Sequence, residues 1–119
     1  MNKEEYCIME DNPPFWRNFR FEGSERHEAF FGVKNRKRSI NDGLVVFLTP
    51  ENHRGTYGVH GKNGKYIDEM IKKNAEMVWC RHYQKTVDDF IKEYGKNYIW
   101  FFKKICYIII VWWWCYAIL

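Results

Sequence analysis

Apolar positions along this chain follow two clear patterns, separated by stretches with none. Leu44-Val45-Val46-Phe47-Leu48 is uninterrupted, rich in β-branched side chains and bounded by Gly43 and Pro50, which predicts a buried strand. Farther on, Ile67, Met70, Ile71, Asn74 and Val78 return at helical spacing, so an amphipathic helix is expected over residues 66–82. Thr86, with Asp89 three residues later, resembles a capping box and Gly95 supplies a stop, predicting a second, short helix over residues 87–94. The short apolar run Ala29-Phe30-Phe31-Gly32 reads as another strand, and residues 34–42 as a basic polar loop joining it to the first in a hairpin. Four glycines (Gly55, Gly58, Gly61, Gly64) argue for a wrapped loop over residues 49–64, with one helical turn starting near Pro50. Residues 1–23 carry Pro13, Pro14, Phe15, Trp16, Phe19 and Phe21 without a period and are expected to be irregular, with one short extended piece at most.

The expected fold is therefore α+β: a hairpin and glycine-rich loop followed by two helices. At 119 residues the chain suffices for one core and excludes a multidomain enzyme. Three segments are expected: a divergent N-terminal stretch (1–24), a domain (25–98) and an apolar tail (99–119). Met1 to Glu10 is polar and charged, so no signal peptide is expected, and the spacing of Cys7, Cys80, Cys106 and Cys115 fits neither a zinc knuckle nor a redox pair. A reducing cytoplasm is the expected compartment.

Charge adds a direction. The net charge of +4 is concentrated between Arg26 and Lys65, where eight cations face three anions. A locally basic segment in a nearly neutral frame favours a polyanion, either nucleic acid or an anionic membrane surface. Residues 105–119 contain no charge and include Trp112, Trp113 and Trp114. As a helix they would span about 22 Å, against about 30 Å of hydrocarbon. Three readings of the tail stand: a membrane anchor, an interfacial segment, or a non-native extension, the last favoured by the abrupt change in composition.

His27, His53 and His60 all fall in the strand and loop region, and His27 lies within Arg26-His27-Glu28. Imidazoles and a carboxylate suit a borderline divalent ion, which can polarise a phosphate. Singly, each histidine is more often structural; together they form a candidate ligand set. His82, beside Arg81 at the end of the long helix, reads as a favourable C-terminal cation, and Met70 and Met77 as helix packing.

Arg26-His27-Glu28-Ala29-Phe30-Phe31-Gly32, Asn35-Arg36-Lys37-Arg38-Ser39, Asp42-Gly43-Leu44-Val45-Val46-Phe47-Leu48, Pro50-Glu51-Asn52-His53-Arg54-Gly55 and Gly58-Val59-His60-Gly61 follow one another in that order. In order and spacing they resemble a family of small phage-borne HNH-type endonucleases, related to the phage recombination-enhancement nucleases. Asp88-Asp89-Phe90-Ile91 and Tyr94-Gly95-Lys96-Asn97-Tyr98 are similar to that family's closing helix. The resemblance implies a ββα-metal core and metal-dependent hydrolysis of DNA phosphodiesters. His27 and His53 match its metal positions, His60 a further histidine of the site, and Glu28 stands where relatives have the water-activating histidine, so His27 and Glu28 form the implied catalytic pair. Lys34, Arg36, Lys37, Arg38 and Arg54 would hold DNA phosphates. One divalent ion, Mg²⁺, Mn²⁺ or Zn²⁺, is the implied cofactor.

The resemblance also implies a second, structural zinc on two pairs of ligands. Here those positions read Cys7 with Glu10 and Thr49 with Asn52, so the structural zinc is expected to be lost. Adjacent Arg26 would lower the basicity of Glu28. Two alternatives accompany the nuclease reading: a catalytically inactive nucleic-acid-binding module, and a small tail-anchored membrane protein.

Overall fold

The order of elements is β1 (Glu25–Glu28), α1 (Val33–Asp42), β2 (Val45–Leu48), α2 (Pro50–Arg54), α3 (Lys65–Tyr83) and α4 (Val87–Tyr94) in the computed structural model, which describes residues 6–99. It is a small α+β protein. β1 and β2 pair antiparallel with Glu25 opposite Leu48, Arg26 opposite Phe47, His27 opposite Val46 and Glu28 opposite Val45. All four residues of β2 are buried, as an uninterrupted apolar strand requires.

Two expectations are corrected here. The first strand lies at Glu25–Glu28 and not at Ala29–Gly32, and residues 34–42 form helix α1 instead of a loop. Arg and Lys are good helix formers, but Val33 and Ile40 alone do not make a readable apolar period. α1 is held by tertiary contacts: the buried Ser39 hydroxyl accepts from Phe30 N–H (3.1 Å) and donates to Phe30 C=O (2.9 Å). Gly43 ends it with φ of 78°, a left-handed conformation natural to glycine.

The two later helices fall close to expectation. α4 begins at a capping box in which Thr86 and Asp89 satisfy each other's backbone N–H groups. α3 buries Ile67, Ile71, Ala75, Val78 and Trp79, and its last turn carries Arg81 and His82. The core gathers Ile67, Ile71, Ala75 and Trp79 with Phe30, Leu44, Val46, Leu48, Phe90 and Tyr94, and it also takes in Met9 and Trp16. Residues 6–23 are mostly irregular, as expected, although Arg17 bridges to Phe47 on the free side of β2.

The positions compared with a structural zinc site make protein contacts. Cys7 Sγ donates to Val45 C=O (3.0 Å), and burial pushes its thiol pKa up. Thr49 caps α2 by accepting from Asn52 N–H, while the Asn52 amide donates to Pro14 C=O (3.2 Å) and Phe15 C=O (3.3 Å). Glu10 pairs with Arg81. Among the described residues no helix is long and apolar enough to cross a membrane. Residues 105–119, and with them the three readings of the tail, lie outside the described residues.

Candidate metal centre

Three elements converge on one cleft. His27 comes from β1, where pairing opposite Val46 sinks it to 2% exposure. His53 sits in the last turn of α2, which starts as expected at Pro50 behind its Thr49 cap.

His60 is delivered by the glycine turns. His60 N–H donates to His53 C=O (2.9 Å) and Val59 N–H to Asn52 C=O (2.8 Å), strapping the loop back onto α2. The chain can fold this tightly because the side chains at two close approaches are missing. A Cβ on Gly61 would stand 1.9 Å from Gly55 O, and one on Gly64 1.8 Å from Gly58 O, so neither position admits a larger residue without movement of backbone.

The result is a cluster of imidazoles with ring centroids 5.4 Å (His27 and His53), 5.0 Å (His27 and His60) and 4.8 Å (His53 and His60) apart. One nitrogen from each lies within 4.8 Å of the others. Two observations fit these residues to a metal ion. His27 Nε2 is buried and has no hydrogen-bond partner, an arrangement that costs stability in a protein at rest. Burial, reinforced by the charges of His60, His53 and Lys72, lowers the His27 pKa to about 3, so that the ring is neutral and its lone pair is available. Burial also lowers the His60 pKa. Tetrahedral zinc with about 2.0–2.1 Å bonds needs nitrogens about 3.4 Å apart, so the three nitrogens, within 4.8 Å of one another, would have to draw closer around an ion.

The cleft holds about 510 Å³, and its walls include Glu28, Arg26 and Arg36 beside the three histidines. Glu28 is largely buried, and its Oε1 meets Arg26 Nη2 at 3.0 Å and Arg36 Nε at 3.4 Å. Sequence adjacency accounts for Arg26. Arg36 reaches Glu28 only because α1 is a helix that turns one side back toward β1.

The cations expected to hold phosphates divide into two groups. Lys34, Lys37 and Arg38, at i, i+3 and i+4, share a face of α1 away from Arg36. Arg38 on that face is drawn to the Glu93 backbone carbonyl and carboxylate. Arg54 is bound through two nitrogens to the Glu25 carboxylate, at 2.9 and 2.7 Å.

Glu25 is the residue that sequence reasoning missed. Besides Arg54, its Oε1 stands 2.8 Å from His53 Nδ1, and these two neighbours hold its pKa below the usual carboxylate range. The only available signal was the period of two along β1, which puts Glu25 and His27 on the same side of the strand. Among the described residues, His27, His53 and His60 are the one group of three or more His, Cys, Asp or Glu side chains close enough to share an ion. No family model, no curated protein and no solved structure matches the chain.

Proposed function

We propose that this protein is a metal-dependent phosphodiester hydrolase of the HNH type acting on DNA, with His27, His53 and His60 holding one divalent ion. The observation that carries the reading is the orphaned, buried Nε2 of His27 in a cleft shared with two further imidazoles and three charged side chains. The antiparallel pair β1 and β2, joined through α1 and followed by the helix bearing His53, is consistent with the ββα arrangement that the motifs resemble. Three imidazole ligands suit zinc, nickel or iron better than the oxygen-seeking Mg²⁺, which narrows the ion expected from sequence.

An ion held by His27, His53 and His60 would supply positive charge against the charge that grows on the phosphate during in-line displacement. The protein's own groups do the rest. Burial lowers the pKa of both His27 and His60, so protons compete less for the lone pairs these rings offer. Glu28 is the group that accepts the proton of the attacking water, and Arg26 and Arg36 orient its carboxylate. The exposed Lys34 and Lys37 draw the polyanion toward α1.

A binding-only module is the second reading, favoured by the same two arginines, because they already occupy Glu28 Oε1 and leave that oxygen less free to meet a water. The deciding experiment is plasmid nicking by the purified full-length chain with Zn²⁺, Ni²⁺, Mn²⁺, Mg²⁺ or EDTA, beside His53→Ala. Metal-dependent nicking lost in His53→Ala is the expected result. Metal uptake with DNA binding but no nicking establishes the binding module, and failure to take up any metal removes the nuclease reading.

A further inference from the structure

We infer that Glu25 is a positioning residue for the proposed metal centre: by accepting a hydrogen bond from His53 Nδ1, it fixes the tautomer that leaves the His53 Nε2 lone pair for the ion shared with His27 and His60. The inference rests on the metal reading above for the ion, but the hydrogen bond itself belongs to the protein alone. A carboxylate can only accept, so at 2.8 Å from Glu25 Oε1 the proton of a neutral His53 resides on Nδ1. Nε2 is then the nitrogen that carries the lone pair, as a ligand must.

The carboxylate is held in place from the other side. Arg54 donates from Nε to Oε1 at 2.9 Å and from Nη2 to Oε2 at 2.7 Å, a bidentate clamp that keeps Glu25 oriented toward His53. Backbone pairing of β1 with β2 places Glu25 opposite Leu48, one residue before the Thr49 cap of α2. The cap, the strand pair and the clamp thus set the distance between Glu25 and His53 before any ion is bound. An outer carboxylate on a metal-bound histidine raises the basicity of the ring and restricts its rotation, and losing such a partner commonly costs about 10–100-fold in metal affinity. Arg54, expected from sequence to hold a phosphate, is here the clamp on the residue that aims the ligand.

Nitrogen-detected NMR of the metal-free, full-length protein reads the His53 tautomer directly, and zinc titration reads the consequence. Wild type is expected to show His53 protonated at Nδ1, and Glu25→Ala to lose that tautomer together with about 10–100-fold in Zn²⁺ affinity. Glu25→Gln, whose amide oxygen can still accept, is expected to recover part of both. Arg54→Ala removes the clamp but leaves the acceptor, so its Zn²⁺ affinity should fall by no more than about threefold. An Nε2-protonated His53 in wild type overturns the inference. So does a Glu25→Ala protein with unchanged tautomer and affinity, or an Arg54→Ala loss equal to that of Glu25→Ala, which would make the cluster an ion pair of structural value only. The Nδ1 tautomer in a wild-type protein that takes up no zinc supports the positioning and overturns the metal centre instead.

Discussion

Two polar centres are packed into this small core, and they are built on opposite principles. At the junction of α1, α3 and α4, Asp42 is firmly partnered: its Oδ2 accepts from Trp79 Nε1 at 2.9 Å and from Tyr94 O–H at 2.6 Å, and its backbone carbonyl accepts from Tyr83 O–H at 2.8 Å. Around His27 the opposite holds, because a fully buried Nε2 is left without a partner. Glu76 stands between the two, with Oε1 accepting from Tyr98 N–H at 2.8 Å while Oε2 is buried and unpaired. Firm partnering is what a structural site needs, since every satisfied donor and acceptor removes a reason to exchange partners. An unpartnered nitrogen on a ring that packs beside two other imidazoles is a cost that a bound ion would offset.

The contrast is broken or sharpened most strongly at Asp42. Asp42→Ala orphans the buried Trp79 and Tyr94 donors and is expected to cost about 4 kcal/mol in urea unfolding, while the Zn²⁺ affinity of the folded fraction stays within a few-fold of wild type. If instead zinc binding vanished in folded Asp42→Ala protein, the two centres would be one network.

Glu76 should give a smaller, pH-dependent effect. Its burial raises the carboxyl pKa from 4.5 to about 7, so between these values the folded state holds a proton that the unfolded state releases. Stability therefore falls as pH rises from about 4.5 to 7 and levels off above that, by up to about 3 kcal/mol. Glu76→Gln keeps an acceptor for Tyr98 N–H and should flatten this contribution when unfolding free energies at pH 5 and pH 8 are compared. An identical pH slope in the two proteins would show that the folded-state proton lies elsewhere.

The smallest effect has the opposite sign. His27→Leu fills similar space without an unpaired nitrogen, so the metal-free protein should gain about 1 kcal/mol while Zn²⁺ binding is lost. A net loss of stability in metal-free His27→Leu would mean that the imidazole is paired after all.

Signals contained within a few residues of sequence were legible. β2 announced itself by five consecutive apolar residues, α4 by Thr86, Asp89 and Gly95, and α3 by its apolar period. α1 escaped because it is stabilised chiefly by partners outside it, among them Phe30 for Ser39 and Glu28 for Arg36. β1 escaped because Glu25-Arg26-His27-Glu28 has the composition of a surface loop. It becomes a strand only by pairing with a buried neighbour, which draws its charged ends into ion pairs.

The histidine cluster divides along the same line. Its three histidines could be named from the chain, together with the four glycines Gly55, Gly58, Gly61 and Gly64 that lie between and beyond His53 and His60. That the three rings meet, that His27 Nε2 is left without a partner, and that Glu25 contacts a histidine 28 residues away were decided only when β1, α2 and the glycine turns packed together. By itself the sequence determined which residues can cap, turn, pair or ligate, because those capacities belong to single side chains and short spacings. The tertiary structure decided which were used, because desolvation and hydrogen-bond completion depend on neighbours that are distant in the chain.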